Sequence, residues 1–216
     1  MSAPARTLTV RHVQLLRALF AAIAALMITF SPDHSAAVGF AVFGGFVAMS
    51  AVALVLGAWL AVPAGSRWPF ILLAVVDLLA GFCSSVPSWR TDAMFFIVVI
   101  VWAAASGLIE LLVGLRARRS EPAAKDAITI GALGLILALV LLVIPVGYNL
   151  SYSVEGAGEL TLTGIILAVG MFGGYAAIVA VFLAIAGFSP RRVAASNHNT
   201  TPDAASSAAV ETGGAT

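Results

Sequence analysis

Long apolar runs alternate with short polar gaps along most of this chain. Six of the runs reach the length of a bilayer-spanning helix, about 20 mostly apolar residues with a range of roughly 17–25. They cover residues 13–30, 36–61, 68–86, 93–115, 127–147 and 160–188. The second and the last are long enough to tilt. A spanning strand needs only about 9–11 residues and alternates polar with apolar positions, and no such alternation is read here. The pattern predicts an all-α membrane protein with six transmembrane helices, arranged as three successive helical hairpins. Residues 1–12 form an N-terminal segment, 13–188 the membrane domain and 189–216 a tail.

Composition strengthens the reading. The chain has 216 residues, of which 61% are hydrophobic and only 10% charged, with a mean hydropathy of +1.06. Soluble domains carry about 25% charged residues. So few charges cannot cover a water-facing surface, and lipid is the expected partner. Nucleic acid is not. The tail beyond Arg192 is rich in Ala, Ser, Thr, Asn and Gly, too polar to offset the entropy of ordering, so it is expected to be disordered. His198, within it, is expected to be solvated.

Charge sets the expected orientation. The N-terminus, the 63–67 gap, the 116–126 gap and the tail hold Arg6, Arg11, Arg17, Arg67, Arg116, Arg118, Arg119, Lys125, Arg191 and Arg192. The opposite gaps hold Asp33, Asp92, Glu155 and Glu159 against Arg90 alone. The positive-inside rule then places both termini in the cytoplasm of a cell whose plasma membrane, the inner membrane, holds the protein. Trp59 and Trp68 flank the first inner gap, while Trp89, Tyr148 and Tyr152 stand at outer gaps. Amphipathic rings at those positions read as interface anchors. Arg11 and Arg17 before the apolar stretch 18–30 imitate a secretory signal. The first span is needed to complete six, so it is expected to be retained.

An internal regularity accompanies the spans. Pro32, Pro87 and Pro145 stand near the outer ends of the odd helices, and Phe43-Gly44-Gly45-Phe46 matches Phe172-Gly173-Gly174-Tyr175 on the second and sixth. Three hairpins that all enter from the same side are parallel repeats. Gly170 and Gly174 make a GxxxG pair, preceded by Gly164 and Ala168. Small residues at that spacing let helix backbones approach closely. Gly170 and Gly174 are therefore candidates for helix packing, within the chain or in a homo-oligomer.

The proline-ended odd helices and the fourth-helix string from Trp102 to Arg119, with Gly107-x-x-Glu110 followed by Arg116, resemble the HdeD-like membrane proteins. That resemblance spans roughly residues 15–192. It implies a six-helix protein built from a short repeat, with no assigned catalytic role, and the family's namesake is linked to acid resistance. In this chain no acidic residue of the first or third hairpin matches Glu110, and the third outer gap, 148–159, is enlarged.

Two carboxylates fall inside the spans, Asp77 and Glu110. A charged group at the bilayer centre costs about 2.5–3.5 kcal/mol on insertion scales, so such residues are functional candidates by default. Asp77 stands nine residues in from Trp68, about 13 Å at 1.5 Å per residue and near the midplane. It reads either as a protonated acid hydrogen-bonded to a neighbouring helix or as a proton-responsive group. Glu110 is shallower, and Arg17 reaches a similar depth from the same side, so the two are expected to pair unless Glu110 serves transport. Their different depths argue against a paired-carboxylate site joining Asp77 with Glu110. No HExxH element, nucleophile triad or metal-ligand cluster is present. Cys83 is the only cysteine and reads as a packing thiol. His34 beside Asp33 would ordinarily be solvated.

These observations lead to a non-enzymatic membrane protein without cofactor or metal. Its resemblance implies a role in envelope or acid stress. A small transporter or proton-coupled channel using Asp77 is the alternative, and it requires an aqueous cavity that reaches Asp77.

Overall fold

The computed structural model describes residues 9–119, 124–154 and 158–188. Six helices carry it: α1 Val10–Phe30, α2 Ala36–Leu60, α3 Trp68–Ser85, α4 Asp92–Ala117, α5 Ala124–Val143 and α6 Gly164–Phe188. Each is long and apolar enough to cross a bilayer, and the protein is a multi-pass, all-α membrane protein. Phe82, Val101, Leu139 and Val181 are more than 60% exposed on its flanks, a surface suited to acyl chains rather than water. Residues 1–8 and the tail beyond Phe188, with His198, lie outside the described residues, as does Glu155.

Helix ends follow local chemistry. The three odd helices stop at Phe30, Ser85 and Val143, each two residues before Pro32, Pro87 and Pro145. A residue before proline is pushed out of the α region and proline itself donates no N–H, so each helix ends there. This shortens the fifth span, expected to run to 147. The first starts at Val10, three residues earlier than expected, behind a reciprocal cap between Thr9 and His12. Thr91 caps α4 by accepting from the Met94 N–H. Ser35 caps α2 and is itself held by Asp33, which accepts from the Ser35 N–H at 2.8 Å.

The enlarged gap after α5 is a β-hairpin, which corrects the expectation of no strand-like alternation and of a sixth helix starting at 160. Strands β1 (Asn149–Val154) and β2 (Gly158–Thr163) pair antiparallel, with Leu150 opposite Leu162 and Tyr152 opposite Leu160. Apolar and polar residues do alternate through this stretch, and period-2 patterning puts Leu150, Tyr152, Leu160 and Leu162 on one face. Helix α6 starts only at Gly164, whose N–H donates to the Tyr148 carbonyl at 2.9 Å.

The helices close into a ring, each packed on its sequence neighbours and α1 on α6. The most extensive packing joins α4 to α5, α1 to α6 and α2 to α3. Those pairs meet at the end of the bundle where α1 starts and α6 finishes, here called the terminal face. The ring is thus tightest one step out of phase with the hairpins read along the sequence. Arg11 Nε donates to the Gly187 carbonyl and ties α1 to α6 at that face. There too the Arg67 guanidinium stacks 5.0 Å from the Trp59 ring centroid.

Candidate functional site: a polar cavity inside the bundle

The even helices build the centre. Phe43 and Phe46 from α2, Trp102 from α4, and Phe172 and Tyr175 from α6 pack edge to face, with centroid separations between 5.2 and 5.9 Å for Phe43–Trp102, Phe43–Phe172, Phe46–Trp102 and Trp102–Tyr175. Phe95 and Phe40 extend this cluster away from the terminal face. Such T-shaped contacts are worth about 0.5–1.5 kcal/mol beyond burial. They make a dense apolar plug through the half of the bundle nearer the β-hairpin.

Toward the terminal face the same three helices line a cavity. Each contributes a stripe at four-residue spacing: Phe46, Ser50 and Leu54 from α2; Trp102, Ser106 and Glu110 from α4; Tyr175, Val179 and Leu183 from α6. Residues i, i+4 and i+8 share one helix face, so the repetition gives the cavity a threefold plan. The plan is broken in three ways. Glu110 stands where α2 and α6 have leucine, Arg17 enters from α1, and Asp77 with Leu73 enters from α3. The cavity has about 20 Å³ of room for water centres, enough for about one or two molecules.

All three intramembrane charges meet here. Arg17 Nη2 donates to Glu110 Oε1 at 2.7 Å, a charge-assisted contact of the short kind. Arg17 lies seven residues from the start of α1 and Glu110 seven from the end of α4, which is why their side chains meet at one depth. Glu110 is the more enclosed, 7% exposed against 21% for Arg17. Asp77, 5% exposed, accepts from Trp102 Nε1 at 2.7 Å through Oδ1.

The two carboxylates keep different depths and border one cavity. Trp102, the partner of Asp77, precedes Glu110 by eight residues on α4, about 12 Å of rise. The cavity runs along the bundle axis over that interval and takes in both.

Sequence reasoning singled out Arg17, Asp77 and Glu110 and missed Ser50, Ser106, Trp102 and Tyr175 as lining residues. A signal was available. Extending the Phe43/Phe46 and Phe172/Tyr175 match by steps of four reaches Ser50 and Leu54 on α2, and Val179 and Leu183 on α6.

Ser50 is unlike the other buried serines. Ser84 and Ser106 each donate to the carbonyl four residues back, Ala80 and Trp102, at 2.7 Å. The Ser50 hydroxyl is 2% exposed as a residue and has no hydrogen-bond partner among the described residues. A buried hydroxyl without a partner costs about 1–3 kcal/mol, and this one faces the cavity.

Gly170 and Gly174 do not pack within the chain. Both are exposed, and a Cβ on either would meet nothing within 4 Å. Helix α6 turns them toward the outside. The close backbone approach occurs instead between α4 and α5, where a Cβ on Gly131 would stand 2.5 Å from the Leu111 N and 2.6 Å from the Gly107 carbonyl oxygen. Cys83 is partly buried against the main core. Among the described residues no group of three or more His, Cys, Asp or Glu is placed to hold a metal.

Comparison with protein-family models, with curated proteins and with solved structures finds no match for this chain.

Proposed function

We propose that this is a small non-enzymatic transporter or channel of the plasma membrane, coupled to protons through Asp77, with both termini in the cytoplasm. The observation that carries the reading is the cavity itself. It brings a mid-span carboxyl, an Arg–Glu pair and an orphan hydroxyl to one place, and buried ionisable residues in spanning helices mark ion and proton paths. Its position supports the reading as well, since polar groups reach from Asp77 toward the terminal face while aromatic rings close the other half. The charge pattern supports the orientation: Arg11, Arg67, Arg116, Arg118, Arg119 and Lys125 cluster toward the terminal face, against Arg90 at the opposite one.

Reconstitution into liposomes with an entrapped pH dye tests it. The wild-type protein is expected to dissipate an imposed pH gradient. Asp77→Asn keeps an oxygen to accept from Trp102 but cannot exchange a proton, and is expected to slow dissipation at least about tenfold with the unfolding temperature nearly unchanged. No flux from the wild type, or equal flux from the variant, overturns the proposal.

A second reading is an HdeD-like protein acting in envelope or acid stress. It is favoured by the threefold recurrence of the lining stripe and by the three proline-ended odd helices, both of which suit a protein built from a short repeat. Deletion and re-expression under acid, osmotic and detergent stress tests this role, and absence of a phenotype in all three removes it.

A further inference from the structure

We propose that the cavity binds one small monovalent cation, which exchanges with a proton on Asp77. The inference deepens the proton-coupled reading by naming the second ion, and it rests on the same cavity. The Ser50 hydroxyl is the first indication. In a helix a buried serine satisfies itself on the carbonyl one turn back, as Ser106 does at the equivalent lining position of α4. Ser50 forgoes that bond and presents an oxygen, 2% exposed and unpartnered among the described residues, to the cavity.

The charge of the lining sets the sign of the guest. Trp102 Nε1–H is committed to Asp77 Oδ1, and Arg17 to Glu110. The lining as a whole is rich in oxygen, from the carboxyl groups of Asp77 and Glu110 and the hydroxyls of Ser50, Ser106 and Tyr175. Hard cations take oxygen ligands, whereas an anion drawn to the remaining N–H groups of Arg17 would have to enter beside two carboxyl groups. One guanidinium faces two carboxylates, so a single negative charge is left to balance. That favours a monovalent ion over Ca²⁺, which takes about 6–8 oxygens, or Mg²⁺, which demands a near-ideal octahedron. Room for about one or two waters limits the guest to a bare or singly hydrated ion, the size of an alkali metal cation or ammonium.

Charge balance couples the guest to a proton. A carboxyl in an apolar interior carries either a proton or a compensating cation. The groups facing Asp77 across the cavity are Glu110 from α4, Arg17 from α1 and Tyr175 from α6, while α2 brings only the uncharged Ser50. Arg17 already balances Glu110. The exchange is then neutral: the Asp77 O–H bond breaks, its proton leaves, and one cation enters against the carboxylate.

Thermal unfolding of the purified full chain in detergent tests this, in lithium, sodium, potassium or ammonium chloride against choline chloride at matched ionic strength. At least one small cation is expected to raise the midpoint saturably by about 4 °C or more over choline. The rise should be larger at mildly alkaline than at mildly acid pH, because protons compete. Asp77→Asn is expected to abolish the rise. Ser50→Ala should weaken the apparent affinity about tenfold, the loss of one oxygen ligand, and Ser84→Ala, outside the cavity, should not. No difference between any small cation and choline overturns the proposal, as does an equal rise in Asp77→Asn. Should that variant fail to fold, an unchanged affinity in Ser50→Ala overturns it. Proton flux measured in liposomes, in choline alone and with the small cation that raises the midpoint, separates the two readings. Flux in choline alone without a cation response leaves proton coupling standing and removes the cation site, and a cation response without flux in either medium leaves the cation site standing and removes proton coupling.

Discussion

Arg17→Ala is expected to destabilise the protein by about 3 kcal/mol and Glu110→Ala by only about half as much. The asymmetry follows from enclosure. Removing Arg17 leaves the Glu110 carboxylate, 7% exposed, without its cation in the interior of the bundle. Removing Glu110 leaves Arg17, 21% exposed near the terminal face, and a long guanidinium side chain can snorkel from there to water. The double substitution should cost less than the sum, with a coupling of about 0.5–2 kcal/mol in a double-mutant cycle. Chemical unfolding in detergent measures all four species. Additive losses would mean that the 2.7 Å contact contributes no stability of its own. If Glu110→Ala instead removed proton flux and left stability unchanged, the glutamate would belong to the transport path rather than to the scaffold.

Gly131→Val is expected to have the largest effect of any single change considered, a loss of about 3 kcal/mol or more. A Cβ at this position would meet the backbone of α4 at 2.5 and 2.6 Å. Backbone cannot swing aside as a side-chain tip can, so α5 has to move bodily away from α4. That separation would also open the contact of Gly134 with Ala103 and of Gly114 with Ile128, which follow the same seam. Gly174→Val is the matched control. It places the same side chain on an apolar helix at an open position, and should shift stability by no more than about 0.5 kcal/mol. Equal effects from the two substitutions, read as unfolding midpoints, would contradict the tight α4–α5 seam.

The contrast between these glycines shows how far the sequence alone reaches. Gly170 and Gly174 satisfy the GxxxG pattern that ordinarily signals close helix approach, yet they lie on the outer face of α6. Gly107 and Gly131 lack a second glycine at that spacing, carrying only the weaker Ala103-x-x-x-Gly107 and Ala127-x-x-x-Gly131 pairs, and make the closest backbone approach described. Spacing within one helix says which residues share a face. It does not say which face meets a partner, because lipid tails and neighbouring helices are equally apolar and leave no polarity contrast to read.

The same reasoning explains the cavity. Arg17, Asp77 and Glu110 were legible as candidates, since charge in a span is costly wherever it is found. The similar depths of Arg17 and Glu110 were legible too, by counting residues from the helix ends. That Asp77 shares a cavity with them was not. It depends on Trp102 reaching from α4 to Asp77 on α3, and on α2, α4 and α6 turning matched stripes toward one axis. Ser50 was invisible for a related reason: a serine in an apolar helix nearly always bonds its own backbone, and only the packed bundle shows that this one does not.

By itself, then, the sequence determined the six spans, their helical state and the proline stops of α1, α3 and α5. These are local consequences of hydropathy, length and backbone chemistry, in which each segment answers to the bilayer rather than to its neighbours. Only the tertiary structure decided the ring order and its tightest pairs, the seam at Gly131, the cavity and its orphan hydroxyl. It also decided the pairing of Leu150 with Leu162 and of Tyr152 with Leu160 in the hairpin before α6. Those features arise from contacts between segments far apart in the chain, and in an apolar solvent they are selected by shape and hydrogen bonding, which one-dimensional patterns do not carry.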